Sequence, residues 1–373
     1  MDTHGEKTGI FAKKGLWLGV GVGIFILIAF IIPTPQSLTD IMQEYGYVEK
    51  MIDWEIAGNI EEAAQKTMIV LGIVPMAVIF FAVEALPIGA TGILMPILAY
   101  FFGLLPFNMI GKTFAGDAPL FMLGVFALGG TVVEVGFHKR LAVWLLGWTK
   151  GFWVPMIVLC FSMSIVGSFM SAPAMCSFMV PVMMAVYYGS VKATSPEGKV
   201  IHDPALAKFL LFSLCFALNM GGPGTPSAGG RNVIMMGFFT EYGIPITYSG
   251  WMKYGWGLVP LGSAMLLLYM ATFFSKKIKN RDITPGMNYI KDETRKMGKM
   301  SYAEWVTDVN LFCIVVLWIF GGEATGLGGP ALLALVVPVL FKSVKFENIL
   351  GRISFNAWFM YCGALTLGAL LKE

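Results

Sequence analysis

Charge is what this sequence has least of: only 13% of its 373 residues are Asp, Glu, Lys or Arg, against roughly 25% in soluble globular domains. With 57% hydrophobic residues, the apolar surface exceeds what one core can hide. That excludes an ordinary water-soluble domain and makes a bilayer the solvent. Histidine is scarce too. His4, His138 and His202 sit near charged loop or terminal residues, and none has ligand spacing. The five cysteines, Cys160, Cys176, Cys215, Cys313 and Cys362, are scattered through apolar stretches with no C-x-x-C pair, so they read as small buried hydrophobes. Metal, acid–base and redox chemistry therefore have little to work with, and no cofactor is expected. An H-E-x-x-H motif and a serine–histidine dyad are both lacking, which sets aside a membrane-embedded protease. The net charge of +3 is uninformative as a total, and no nucleic-acid partner is expected.

What the chain has in quantity is Gly (44), Phe (29) and Met (25), which suits helices that approach through small residues and present soft, bulky groups to lipid or to each other. After Lys13 and Lys14, an apolar run from Gly15 to Ile32 nearly spans a ~30 Å hydrocarbon core at about 1.5 Å per residue. It exceeds a signal-peptide core and lacks an A-x-A cleavage site, so it reads as a retained first helix. Further spans are expected at 67–83, 88–105, 118–136, 205–222, 252–274, 307–321, 327–341 and 356 to the end. Segment 152–187 is apolar but broken at Gly167, Ser168, Ser171 and Pro173, the pattern of a re-entrant pair of half-helices.

Loop charge orients these spans. Residues 34–66 hold seven acids and only Lys50 and Lys66, whereas residues 275–300 hold eight Lys or Arg and three acids. The first stretch is expected outside and the second in the cytoplasm, with the N-terminus cytoplasmic. Whether 34–66 is an amphipathic helix or a loop is open at this point, but its acidity favours solvent exposure.

An internal repeat follows from an ungapped alignment at an offset of 239. Ala118–Glu134 falls on Ala357–Glu373, with identities at Ala118/Ala357, Gly124/Gly363, Leu128/Leu367, Gly129/Gly368 and Glu134/Glu373, and upstream at Phe102/Phe341, Phe107/Phe346 and Ile110/Ile349. By the loop charges the two copies cross in opposite directions, which makes the repeat an inverted one. Its organisation is then 1–66, an N-terminal helix and acidic external loop; 67–274, a first repeat; 275–306, a basic cytoplasmic loop; and 307–373, the start of a second repeat. Since the first copy carries its hairpin beyond Glu134, the second is expected to continue for roughly another hundred residues past Glu373.

Two places interrupt helix at membrane depth: Gly167–Ala174 and Gly221–Asn232. Unwound backbone survives there only when buried in protein or lining a wet cavity. Its carbonyls and hydroxyls can replace the hydration shell of Na⁺, while half-helix N-termini favour an anion. The oxygen donors are the Ser171 and Thr225 hydroxyls, the Asn232 amide oxygen and carbonyls freed around Gly222 and Gly224. The competing reading is a pair of ordinary kinks whose Ser and Thr bond back to the preceding turn. Arg231 costs on the order of 2.5 to 3.5 kcal/mol at membrane depth, so it should face a cavity, an acid or an anion. It either forks a carboxylate or sulfate or, as the blander alternative, pairs structurally or snorkels to the interface. Glu84 and Glu134, at span ends, read as structural.

Four stretches together resemble the divalent anion:sodium symporter family of dicarboxylate, citrate and sulfate carriers. Val83-Glu84-Ala85-Leu86-Pro87 with Thr91 and Pro96 is similar to its E-A-L-P entry, and Gly124–Gly130 to its glycine-rich helix. Phe169–Pro181 is similar to its S-N-T hairpin, and Gly222-x-Gly224-Thr225-Pro226 through Asn232-x-Ile234 to its G-x-G-T-P…N segment. The resemblance runs from about residue 67 to the C-terminus. It implies an all-α polytopic inner-membrane transporter, not an enzyme, that works as a homodimer in lipid and moves a sodium-coupled small anion by an elevator-like motion. Sodium would lie at Ser171, Gly222, Gly224, Thr225 and Asn232, and substrate at Ser171, Ala172, Pro173, Thr225 and Arg231. Ala172 and Pro173 depart from the family, standing where it has Asn and Thr, and Gly230-Arg231 replaces a Pro-rich pair. The second hairpin and second unwound segment of the family would lie in the continuation past Glu373. Alternatives are a sodium-independent exchanger, a proton-coupled carrier, or a chain inactive by itself.

Overall fold

The computed structural model describes residues 14–137, 140, 149, 151–169, 172–195, 201–244, 246–288, 292 and 298–372. Among these residues the fold is all helix, and the protein is an all-α polytopic membrane protein. Among the described residues five helices are long and apolar enough to cross a bilayer: Lys14–Ile31, Ile60–Val83, Phe107–Val135, Tyr248–Lys277 and Tyr302–Phe320. Four apolar helices are shorter, Ile88–Phe101, Trp153–Phe169, Pro204–Met220 and Gly328–Leu340. Each falls below the ~20 residues a full crossing needs.

The chain forms two compact units, Met1–Pro119 with Ser354–Glu373, and Leu120–Ile353. In the first unit, Phe25, Ile73, Phe80, Met95 and Ile110 form the buried core. Residues 34–66 fold on their own account. Helices Gln36–Glu44 and Tyr47–Asp53 turn about Gly46, whose φ is +69°, and enclose Met42, Val48, Met51, Ile56 and Ala63. All seven acids of the stretch are exposed, as their number predicts, while Met42, Val48, Met51, Ile56, Ala57, Ala63 and Ala64 between and beside them are buried. In the second unit a methionine-rich core joins Trp153–Phe169, Ala172–Thr194, Pro204–Met220 and Leu258–Phe273 through Met163, Met175, Met179, Leu214 and Met270.

The 239-residue offset is visible in the helix boundaries. It carries Ile88–Phe101 onto Gly328–Leu340, Phe107–Ala115 onto Phe346–Arg352, and Asp117–Val135 onto Phe355–Lys372, within a few residues at each end. It also carries one left-handed residue, Gly103 at φ +57°, onto another, Lys342 at φ +52°. The packing recurs with the copies exchanged. In one unit Gly92 meets Gly363 backbone to backbone, and in the other Gly124 meets Ala331, at the equivalent positions. A side chain at Gly92, Gly363 or Gly124 would collide with the facing helix, so these helices associate through close backbone approach.

Three sequence expectations are sharpened. The interruption expected over Gly167–Ala174 is narrower, since helix continues through Phe169 and begins again at Ala172. The span expected at 88–105 ends at Phe101, where the chain turns through Gly103. The expectation that all five cysteines are buried holds for Cys160 and Cys362, is met in part by the half-buried Cys176 and Cys215, and fails for Cys313, which is exposed on the apolar helix Tyr302–Phe320. Glu134 is structural as expected, bonded to Arg352 at 2.7 Å and to Asn348 at 2.8 Å.

Candidate functional site

The polar centre of the second unit is built where the helix Pro204–Met220 ends. Asp203 caps its start by accepting from Ala205 and Leu206 at 3.1 and 3.2 Å, and Pro204 occupies a position where a missing N–H costs nothing. The other Asp203 oxygen accepts from Lys279 and Asn280 at 2.8 and 3.0 Å. Burial works against this carboxylate, yet the four backbone N–H groups outweigh it and hold its pKa below the usual carboxylate value. At the far end Gly221 and Gly222 close the last turn through bonds to Ala217 and Asn219, and Pro223 cannot continue the ladder. The backbone is unwound from Gly221 to Gly229 apart from one 3-10 turn at Pro226–Ala228, and helix resumes at Gly230–Glu241.

Side chains from three other helices hold this segment. Gly221 lies so close to the helix Trp153–Phe169 that a Cβ would strike the Ser164 carbonyl and the Gly167 backbone. Ser168 donates to the Gly221 carbonyl at 3.0 Å, and Ser164 to the Ala217 carbonyl at 2.8 Å. Ser263, on Leu258–Phe273, donates to Ser164 at 2.7 Å. Thr225 is fully buried and donates to the Ser168 carbonyl, while its oxygen lies 3.0 Å from Ser227. Ser227 lies 2.9 Å from the Tyr248 hydroxyl, and the buried Tyr248 ring stacks on Trp318 with centroids 5.0 Å apart. Trp251 Nε1 donates to the Pro223 carbonyl at 2.9 Å. Asn232 donates from Nδ2 to the Gly222 and Thr225 carbonyls at 2.7 and 2.8 Å, which leaves its own amide oxygen free to accept.

The structure thus brings together Gly222, Thr225 and Asn232, with Gly224 packed against the Ser168 side chain. Ser171 lies outside the described residues, Ala172 is half-buried as the first residue of Ala172–Thr194, and Pro173 follows it in the first helical turn. Arg231 is exposed on the first turn of Gly230–Glu241 and makes no hydrogen bond or ion pair with the described residues. Of the blander reading of that arginine, structural pairing finds no partner among the described residues, and snorkelling to the interface stays open. The kink reading captures part of the geometry, since Ser164 and Ser168 bond back to Cys160 and Ser164. Both hydroxyls also reach a second helix, which a plain kink does not require.

Sequence reasoning missed Ser164, Ser227, Tyr248, Trp251 and Ser263 as parts of the site. One signal was available: Ser164 and Ser168, four apart in an apolar helix, share a face. Among the described residues no group of His, Cys, Asp or Glu could hold a transition metal. The donors here are hard neutral oxygens, which suit a hard cation and not a soft one.

Residues 76–373 match the citrate transporter family. Among curated proteins, the chain is 24% identical over 254 residues to the sodium-dependent high-affinity dicarboxylate transporter 3 of Caenorhabditis elegans, covering 65% of this chain and 44% of that protein. It is 24% identical over 266 residues to the sodium-dependent dicarboxylate transporter SdcS of Staphylococcus saprophyticus, covering 69% and 50%. SdcS of Staphylococcus aureus strain USA300 is 23% identical over 261 residues, covering 68% and 49%. The chain spans about half the length of these relatives. A transporter family, not an enzyme family, accounts for most of this sequence, and the chain belongs to the citrate transporter family.

Proposed function

We propose that this chain carries one half of the binding site of a secondary transporter that couples inward sodium movement to uptake of a divalent anion, a dicarboxylate in the first instance, across the inner membrane. The observation that carries this reading is the unwound segment Gly221–Gly229, whose carbonyls and hydroxyls converge with Ser168 and Asn232 inside an apolar unit. Carbonyls at the end of Pro204–Met220 present negative potential to a cation, and the N-terminus of Gly230–Glu241 presents positive potential to an anion. Sodium-dependent relatives support the coupling ion, and their dicarboxylate substrates support the anion class.

Sodium would be held by the Gly222 and Thr225 carbonyls, the Thr225 hydroxyl and the Asn232 amide oxygen, with Ser171 and the Gly224 carbonyl as further donors. Each carbonyl has a second lone pair, so the bonds from Asn232 Nδ2 orient the oxygens without exhausting them. Bound sodium makes the place electropositive, and the anion then binds beside it against Ala172, Pro173, Thr225 and the guanidinium of Arg231. Where the family pattern has Asn and Thr, Ala172 and Pro173 offer no side-chain donors, so Arg231 carries more of the anion's recognition. Each net positive charge entering contributes about 2.3 kcal/mol per 100 mV. A homodimer with an elevator-like movement of the sodium-binding part is the transport mode in this reading, and sulfate is the second anion to be tested.

The test is uptake of labelled succinate and sulfate into proteoliposomes, with and without an inward sodium gradient, using the full reading frame. Arg231→Ala should abolish uptake while leaving the thermal midpoint unchanged, because the side chain is exposed and makes no hydrogen bond or ion pair with a described residue. Unchanged uptake by Arg231→Ala would remove the arginine from the site.

A further inference from the structure

The first unit contains a half-enclosed apolar cleft of about 210 Å³, lined among others by Met51, Trp54, Val70, Leu105 and Leu370, with Lys66 as its charged member. Its position in the sequence fixes its depth. Lys66 and Val70 lie in the first three turns of Ile60–Val83, Leu105 lies just past Ile88–Phe101, and Leu370 is in the last turn of Phe355–Lys372. Three apolar helices ending at one place mark the level where hydrocarbon gives way to headgroups. The cover of the cleft belongs to that level as well. It is made by the two short helices of 36–53, which show exposed Ile41, Tyr45 and Tyr47 beside the half-buried Trp54, the composition of an interfacial segment. An apolar hollow at this depth borders acyl chains, not water.

Charge narrows the headgroup. Lys66 Nζ donates to the Ile56 carbonyl and pairs with Glu62 at 3.2 Å, so one of its three N–H donors remains for a phosphate oxygen. Glu62, with exposed Glu55 and Glu61 nearby in sequence, suits an ammonium group and disfavours a second negative charge. The Thr67 hydroxyl is engaged by the Ala63 carbonyl and adds no donor. We propose that this cleft binds one acyl chain of a zwitterionic phospholipid of the ethanolamine type, with the phosphate against Lys66 and the amine toward Glu62. Lipid held here would clamp the acidic external cap onto the ends of the spans.

The experiment uses the full reading frame in detergent, supplied with phosphatidylethanolamine or phosphatidylglycerol carrying a diazirine in the acyl chain. After photolysis, labelled peptides are mapped and retained lipid is counted by native mass spectrometry. The expected result is label concentrated on peptides containing Met51, Val70 and Leu105, with the ethanolamine lipid retained in preference. Val70→Phe should abolish the cleft label. Leu371→Trp, at an exposed rim position where folding is not at risk, should reduce it, and the thermal midpoint identifies any variant that fails to fold. Lys66→Gln should lower ethanolamine-lipid retention roughly tenfold, the loss of one charged hydrogen bond. Label spread evenly over the lipid-facing helices and indifferent to Val70→Phe and Leu371→Trp would overturn the proposal, as would glycerol lipid retained equally well.

Discussion

Two ways of joining helices stand side by side in this chain. Where Gly92 meets Gly363 and Gly124 meets Ala331, continuous helices join by close backbone approach through small residues, even though Pro96 removes one donor from the ladder of Ile88–Phe101 and the buried Thr91 hydroxyl has no partner among the described residues. At Gly221–Gly229 the backbone has left its ladder, and serine, tryptophan and asparagine side chains arrive from flanking helices to orient its carbonyls, while Thr225 within the segment donates back to the Ser168 carbonyl and Tyr248 meets the Ser227 hydroxyl. The same close glycine approach occurs there, at Gly167 and Gly221, but a hydroxyl network surrounds it. The contrast is between continuous helices joined by shape and an interrupted one joined by hydrogen bonds, and in the proposed function the oxygens left over at the interruption are the ones that hold sodium.

The largest expected effect comes from treating both joints alike. Gly221→Val places methyl groups on the Ser164 carbonyl, and Gly92→Val does the same against Phe359, so each should destabilise by about 1 to 3 kcal/mol or more. Only Gly221→Val should also abolish sodium dependence in whatever fraction folds, as measured by uptake per folded transporter. Next, Asn232→Ala removes two bonds to carbonyls of the unwound segment and should cost about 1 to 3 kcal/mol while raising the sodium concentration for half-maximal uptake.

Asp203 sharpens the comparison from outside the membrane. Its carboxyl pKa is depressed on folding, so it contributes stability that is fully present above the unfolded value of about 3.9 and is lost as pH falls through the folded value. Asp203→Ala should cost about 2 kcal/mol at neutral pH and flatten the acid limb of the thermal midpoint against pH. The smallest expected effect is Tyr248→Phe, which removes the hydroxyl beside Ser227 at about 1 kcal/mol. Because Ser227 in turn meets Thr225, sodium half-saturation should rise, and Tyr248→Phe with Ser227→Ala should be non-additive.

Much of this was legible in the sequence. Apolar runs located the helices, and Gly221-Gly222-Pro223 announced the break because no helix continues through those residues. The 239-residue offset found from eight identities carries helix ends and even a left-handed residue from one copy to the other. What sequence could not give is non-local. Tyr248 reaches Ser227 across 21 residues and Ser263 reaches Ser164 across 99, with no spacing rule to join them. Nor did the acidity of 34–66 reveal that its apolar residues close a small core, since seven exposed acids are compatible with either a loop or a fold. The grouping of Ser354–Glu373 with Met1–Pro119 is likewise a product of packing, not of chain order.

The central claim is that the oxygens gathered at Gly222, Thr225 and Asn232 hold sodium. Its most direct measurement is the sodium dependence of succinate uptake by the full reading frame in proteoliposomes, beside Thr225→Val and Asn232→Ala. The account predicts uptake that requires sodium, with both substitutions raising the half-saturating sodium concentration several-fold and Asn232→Ala sparing succinate affinity at saturating sodium. Uptake independent of sodium, or half-saturation unmoved by either substitution, would contradict it.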